Sequence, residues 1–137
     1  MNVNEERNSL EEKGELYEQI TRLCLSLPEA SERTSHGAPT FFIRDKLSFV
    51  QYHNNHHGDG KVALWCAAPA GIQQVLIDTK PEQYFVPAYV GHLGWVGIRL
   101  DQQVPWREIE GTILDAYVSR APKALKEQVL QEYAKPH

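Results

Sequence analysis

Leu16, Ile20, Leu23 and Leu27 recur at helical spacing, preceded by Ser9 and Glu12. Those two are spaced as a capping box, in which each side chain satisfies a backbone donor at a helix start. The pattern predicts a first helix from about Leu10 to Ser26, stopped by Pro28, with residues 1–8 a frayed tail and 9–137 a single domain. From Ser31 to Asn54 the texture turns β-rich. Thr40-Phe41-Phe42-Ile43 and Leu47-Ser48-Phe49-Val50-Gln51-Tyr52 flank the polar turn Arg44-Asp45-Lys46 and read as a hairpin. After the loop His53-Asn54-Asn55-His56-His57-Gly58-Asp59-Gly60, Lys61 to Cys66 resumes as a third antiparallel strand. A short helix follows from Pro69-Ala70-Gly71 to about Asp78, and then Tyr84 to Val90, interrupted by Pro87, reads as a packed irregular segment. Gly94 to Leu100 alternates as a strand, placing Trp95, Gly97 and Arg99 on one face and Val96, Ile98 and Leu100 on the other. Two helices close the chain. One begins at Pro105 with the stripe Trp106, Ile109, Ile113, Ala116 and Tyr117; the other follows Pro122 with Leu125, Val129, Leu130 and Tyr133. The expected fold class is α+β, a two-layer arrangement of an antiparallel sheet flanked by N- and C-terminal helices.

Composition changes this picture little. A chain of 137 residues, 42% apolar and 23% charged, suits one globular domain with a real core. No apolar run nears the roughly 18 residues of a membrane span, and the polar, acidic start lacks the order of a secretory signal. The expectation is a soluble, cytoplasmic monomer with no membrane partner, in which Cys24 and Cys66 are reduced core residues. Charge is unevenly spread. Residues 1–32 carry 8 acidic and 3 basic side chains, whereas residues 33–137 carry 10 and 11, so the net charge of −4 is an N-terminal property. The near-neutral remainder leaves room for a local basic patch.

Several blocks together resemble the MmcQ/YjbR family of small bacterial proteins. They are His36-Gly37-Ala38-Pro39-Thr40-Phe41, Gly58-Asp59-Gly60 before Val62-Ala63-Leu64-Trp65-Cys66, Tyr84 to Gly91, Gly94-Trp95-Val96-Gly97, and Ala121-Pro122-Lys123. In this order and spacing they run from about Leu23 to Lys126, leaving the acidic N-terminal extension outside. The resemblance implies a fold similar to bacterial frataxin (CyaY-like) and to a phage double-wing domain, and through the latter a DNA-binding role. It implies no established activity, and fold likeness alone is a weak warrant for function.

Two functional readings follow. The leading one is a DNA-binding module on double-stranded DNA, with Arg33, Arg44, Lys46 and Lys61 as phosphate contacts and the hairpin tip as a wing, although Asp45 stands between Arg44 and Lys46. The alternative is a small-ligand binding protein or enzyme with a pocket around His36, Trp65, Tyr89, Trp95 and Arg99, since aromatic walls with a few polar groups make a usual ligand site. The same aromatics serve equally well as core. His36, in a glycine- and proline-containing segment, reads as a structural histidine held by backbone hydrogen bonds. His53, His56 and His57 read as a solvated loop rather than a metal site, because an Asn- and Gly-rich loop offers little to fix a ligand set. Glu11, Glu12, Glu15 and Glu18 superficially resemble the iron-binding ridge of frataxin-like proteins, but glutamates near a helix start are favoured by the helix dipole alone. No cofactor, no metal and no catalytic residue is assigned, and no P-loop, nucleophile elbow or H-E-x-x-H is present.

Overall fold

A computed structural model describes residues 3–134, with side chains described from Gly14 to Tyr133. Four helices, α1 (Val3–Ser26), α2 (Ile72–Thr79), α3 (Trp106–Arg120) and α4 (Lys123–Ala134), accompany six strands. These are β1 (Ala30–Ser35), β2 (Ala38–Ile43), β3 (Leu47–Asn54), β4 (Val62–Cys66), β5 (Tyr84–Phe85) and β6 (Val96–Arg99). The strands form one sheet in the order β1-β2-β3-β4-β6-β5, antiparallel at every pairing. The expected α+β class and its flanking helices are therefore present. Differences lie at the edges. Helix α1 begins at Val3 rather than Leu10, so Ser9 and Glu12 fall inside it and do not mark its start. Met1 and Asn2 lie outside the described residues, as do the side chains of Glu11 and Glu12, while Glu15 and Glu18 are exposed. β1, not expected as a strand of its own, and the two-residue β5 add an edge at each side.

Opposed residues in a ladder share a face, so the register separates the two sides of the sheet. Tyr52, Leu64, Ile98 and Tyr84 stand in one row across β3, β4, β6 and β5, and Val50, Cys66 and Val96 in the next. These residues meet the helices. Ile20, Cys24 and Leu27 of α1, Ile109, Ile113, Ala116 and Tyr117 of α3, and Leu125 and Val129 of α4 close the core against them. Tyr117 is fixed at both ends, its ring edge-on to Phe49 at 5.4 Å and its hydroxyl donating to the Pro28 carbonyl at 2.6 Å. Leu130 and Tyr133, expected as contacts of the last helix, are exposed at 51% and 40%, so α4 packs through a narrower stripe than its sequence suggests.

Thr40, Gln51, Trp65, Gly97 and Phe85 form a row on the other face. A bulge shapes it. Phe41 pairs with Val50 and Phe42 with Ser48, leaving Phe49 as an extra residue in β3. Phe49 and Val50 are both buried, while Ser48 and Gln51, three residues apart, both reach the helix-free face.

Candidate functional site

The helix-free face is concave, and a cavity of about 820 Å³ opens on it. Its floor is the sheet itself: Thr40 and Phe42 from β2, Ser48, Gln51 and His53 from β3, and Trp65 from β4. Trp95, just before β6, is a wall, and three turns supply the rim, with His36 between β1 and β2, His56 and His57 after β3, and Tyr89 with Val90 before β6. Each turn has a local cause. His36 and Gly37 are the two central residues of a tight hairpin closed by the Ser35–Ala38 pair, and both take positive φ, 51° and 78°. That is the twist a two-residue hairpin prefers. Asn55 and His57 are left-handed as well, and Asn55 ties its loop shut by accepting the Gly60 N–H on its side-chain oxygen at 2.8 Å. The Tyr89 turn, with φ 63°, is held from α2, where the Gln73 amide nitrogen donates to the Gly91 and Trp95 carbonyls at 2.8 and 2.6 Å.

A single chain of hydrogen bonds orders the polar floor. The Thr40 hydroxyl donates to the Ala38 carbonyl at 3.0 Å and accepts from the Gln51 amide at 2.9 Å. That amide nitrogen also reaches the Ser35 carbonyl at 3.3 Å. A carbonyl can only accept, so the nitrogen of Gln51 must face it, and its oxygen faces His53 Nε2 at 2.7 Å. His53 Nε2 therefore carries the proton, and Nδ1 is left as a bare acceptor. The ring lies stacked on Trp65, centroids 3.6 Å apart and 26° between planes, and is only 7% exposed. Desolvation, reinforced by neighbouring His56 and opposed by Asp59, pulls its pKa from 6.5 down to about 4. His53 is neutral at pH 7.

The solvated-loop reading of His53, His56 and His57 is thus corrected for His53 and His56, while His57 is exposed as that reading expects. His53 belongs to β3 and is buried, and His56 packs edge-on to Trp65, Tyr89, His53 and His57 at 4.8, 5.8, 5.0 and 4.1 Å. Among the described residues no three His, Cys, Asp or Glu side chains converge as a metal site. The reading of His36 as hydrogen-bonded is also corrected, because its ring is exposed at the hairpin turn with no hydrogen bond among the described residues.

Of the expected pocket, His36, Trp65, Tyr89 and Trp95 come together, whereas Arg99 does not reach the cavity. Arg99 lies farther along the same face, opposite Ala63, and is clasped through two nitrogens by Asp101 at 2.9 and 2.8 Å. Trp65 and Trp95 are buried at 3% and 7% and still line the cavity, so core and pocket are one set of residues there. Of the four expected DNA contacts, Arg33, Arg44 and Lys46 gather around the β2–β3 tip and Lys61 stands apart. Arg44 pairs with Glu29 at 3.2 Å, and the Arg33 guanidinium sits 3.6 Å over the Phe42 ring while donating to the Asp45 carbonyl. Lys46 stands exposed at the β2–β3 tip, and Lys61 lies at the opposite end of β3, 4.3 Å over the Phe85 ring. Sequence reasoning missed Thr40, Phe42, Ser48 and Gln51. Alternation within β3 puts Gln51 and His53 on one face, the one available signal for two of the floor residues.

A family model described as YjbR matches residues 25–119. Among solved structures, a crystal structure of Deinococcus radiodurans protein DR2400, with a domain described as DUF419, is similar in fold. The likeness has a TM-score of 0.66 and 14% sequence identity over 88% of each chain. No curated protein matches the sequence.

Proposed function

The chain belongs to the YjbR family, and from that premise we propose that its helix-free sheet face binds a small molecule carrying a flat ring. The observation that carries this reading is the composition of the cavity. Phe42, Trp65, Trp95 and Tyr89 give it planar apolar walls, and Thr40, Gln51 and neutral His53, with Ser48 beside them, give it a polar floor in which the first three are already ordered by hydrogen bonds. Its lining holds no lysine, arginine, aspartate or glutamate among the described residues. Apolar walls with a few fixed polar groups bind rings with little reorganisation on entry. Two buried free thiols, both held protonated by burial, support a reducing cytoplasm as the place where the protein works.

Binding to duplex DNA, the reading implied by the double-wing likeness, has less support. Arg33 and Arg44, beside Lys46 at the β2–β3 tip, are engaged by neighbours, and Lys61 lies at the far end of β3. One experiment separates the two. Thermal unfolding is followed with purine, indole and isoalloxazine compounds at millimolar concentration, and fluorescence anisotropy with labelled duplex across a salt series. The ring site predicts a raised Tm with at least one ring class, lost in Gln51→Leu, and anisotropy unmoved by Arg44→Glu/Lys46→Glu. Salt-sensitive duplex binding abolished by that double variant, with no thermal shift from any ring, would sink it.

A further inference from the structure

A second cavity of about 560 Å³ lies at the end of the sheet, between α1 at Gly14 and Tyr17 and the β1–β2 turn. It shares His36, His53 and His56 with the first. The two cavities therefore meet across three imidazoles. The three are differently committed: the proton-bearing Nε2 of His53 is engaged by Gln51 and its ring by Trp65. His56 Nε2, by contrast, is buried without any hydrogen-bond partner. An orphaned buried polar atom is costly, and such an atom in a native fold asks for an explanation. Tyr89, 70% exposed and edge-on to His56, is the outermost ring over it.

We propose, building on the ring-site reading, that the ligand is bipartite, its flat ring in the helix-free cavity joined to an oxyanion head, a phosphate or carboxylate, that His56 Nε2 and His36 hold where the two cavities meet. Imidazole N–H groups donate to oxyanions, and among the described residues no carboxylate lines either cavity to repel one. The second cavity adds the Tyr52 and Asn54 side chains around the head.

Calorimetric titration of the full chain with matched pairs tests this: adenosine against adenosine 5′-monophosphate, riboflavin against its 5′-phosphate, and nicotinamide against nicotinate. A hydrogen bond to a charged group corresponds to roughly a tenfold gain or more. The expected result is that gain for the anionic member of at least one pair, erased in His56→Ala so that the two members of that pair then bind alike. The phosphate and carboxylate pairs separate the two heads. Equal affinity within every pair that binds would overturn the head while leaving the ring site intact. A gain that survives in His56→Ala, and equally in His36→Ala should the first variant fail to fold, would overturn the assignment to these histidines. No binding by any of the six compounds would remove both the head and the ring site beneath it.

Discussion

The Gln51 amide and the His53 ring decide the character of the cavity floor, because the amide, oriented by the Ser35 carbonyl, fixes which ring nitrogen of His53 carries the proton. Since His53 is neutral and stacked, its burial makes stability depend on pH. Above 6.5 the ring is neutral in folded and unfolded chains alike; as pH falls the unfolded chain takes up the proton first, while the folded one resists until about 4. Stability is thus full above 6.5 and drains across that window, by roughly 3 kcal/mol. Urea unfolding at pH 7 and pH 4.5 should show a smaller loss for His53→Phe than for the parent; equal losses would contradict the buried neutral ring. Gly97 is a second decisive residue. A Cβ there would lie 2.3 Å from the Phe85 ring, which crosses the strand at that point. Gly97→Ala should therefore cost about 1–3 kcal/mol as overpacking, measured as a shift in urea midpoint. The alternation of β6 put Gly97 beside Trp95 and Arg99 in sequence, but nothing local revealed that a ring from β5 fills the space above it.

At the scale of elements, helices and central strands were legible because their apolar periods are long and punctuated by Pro28, Pro105 and Pro122. The cavity floor was not, because the bulge at Phe49 breaks the two-residue period on which strand faces are read. Ser48 and Gln51 share a face only through that inserted residue. His53 was misread as a loop residue for a related reason: it is the seventh residue of β3, and its pairing with Ala63 appears only once β4 is in place. The turn that carries Tyr89 depends on α2 through Gln73 alone among its side-chain bonds to Gly91 and Trp95. Gln73→Leu should remove both bonds, leaving Gly91 only its bond from the Gly94 N–H, and speed hydrogen exchange in residues 87–95, while exchange in β2 and β3 stays unchanged. Uniform acceleration over the sheet would mean that Gln73 supports the whole fold rather than this turn.

For the whole molecule, the sheet divides the labour. Helices α1, α3 and α4 bury one face, and the other keeps its aromatic residues available, shielded at the rim by the turns of His36, His56 and Tyr89. Among the described residues no helix is long and apolar enough to cross a membrane. Four of the five pocket residues named from sequence meet at the cavity, whereas of the four cations named as DNA contacts Arg33 and Arg44 are engaged by neighbours at the β2–β3 tip and Lys61 lies at the far end of β3, which is why the balance falls to a ring site. The protein carries its own control for this claim, since Trp65 and Trp95 line the cavity whereas Trp106 packs at the start of α3. The most direct measurement is a nitrogen-15 correlation titration that watches the three indole N–H signals as planar heteroaromatic compounds are added. A ligand site on the helix-free face predicts saturable shifts of the Trp65 and Trp95 signals with Trp106 still; all three unmoved across the compound set, or Trp106 moving in their place, would contradict it.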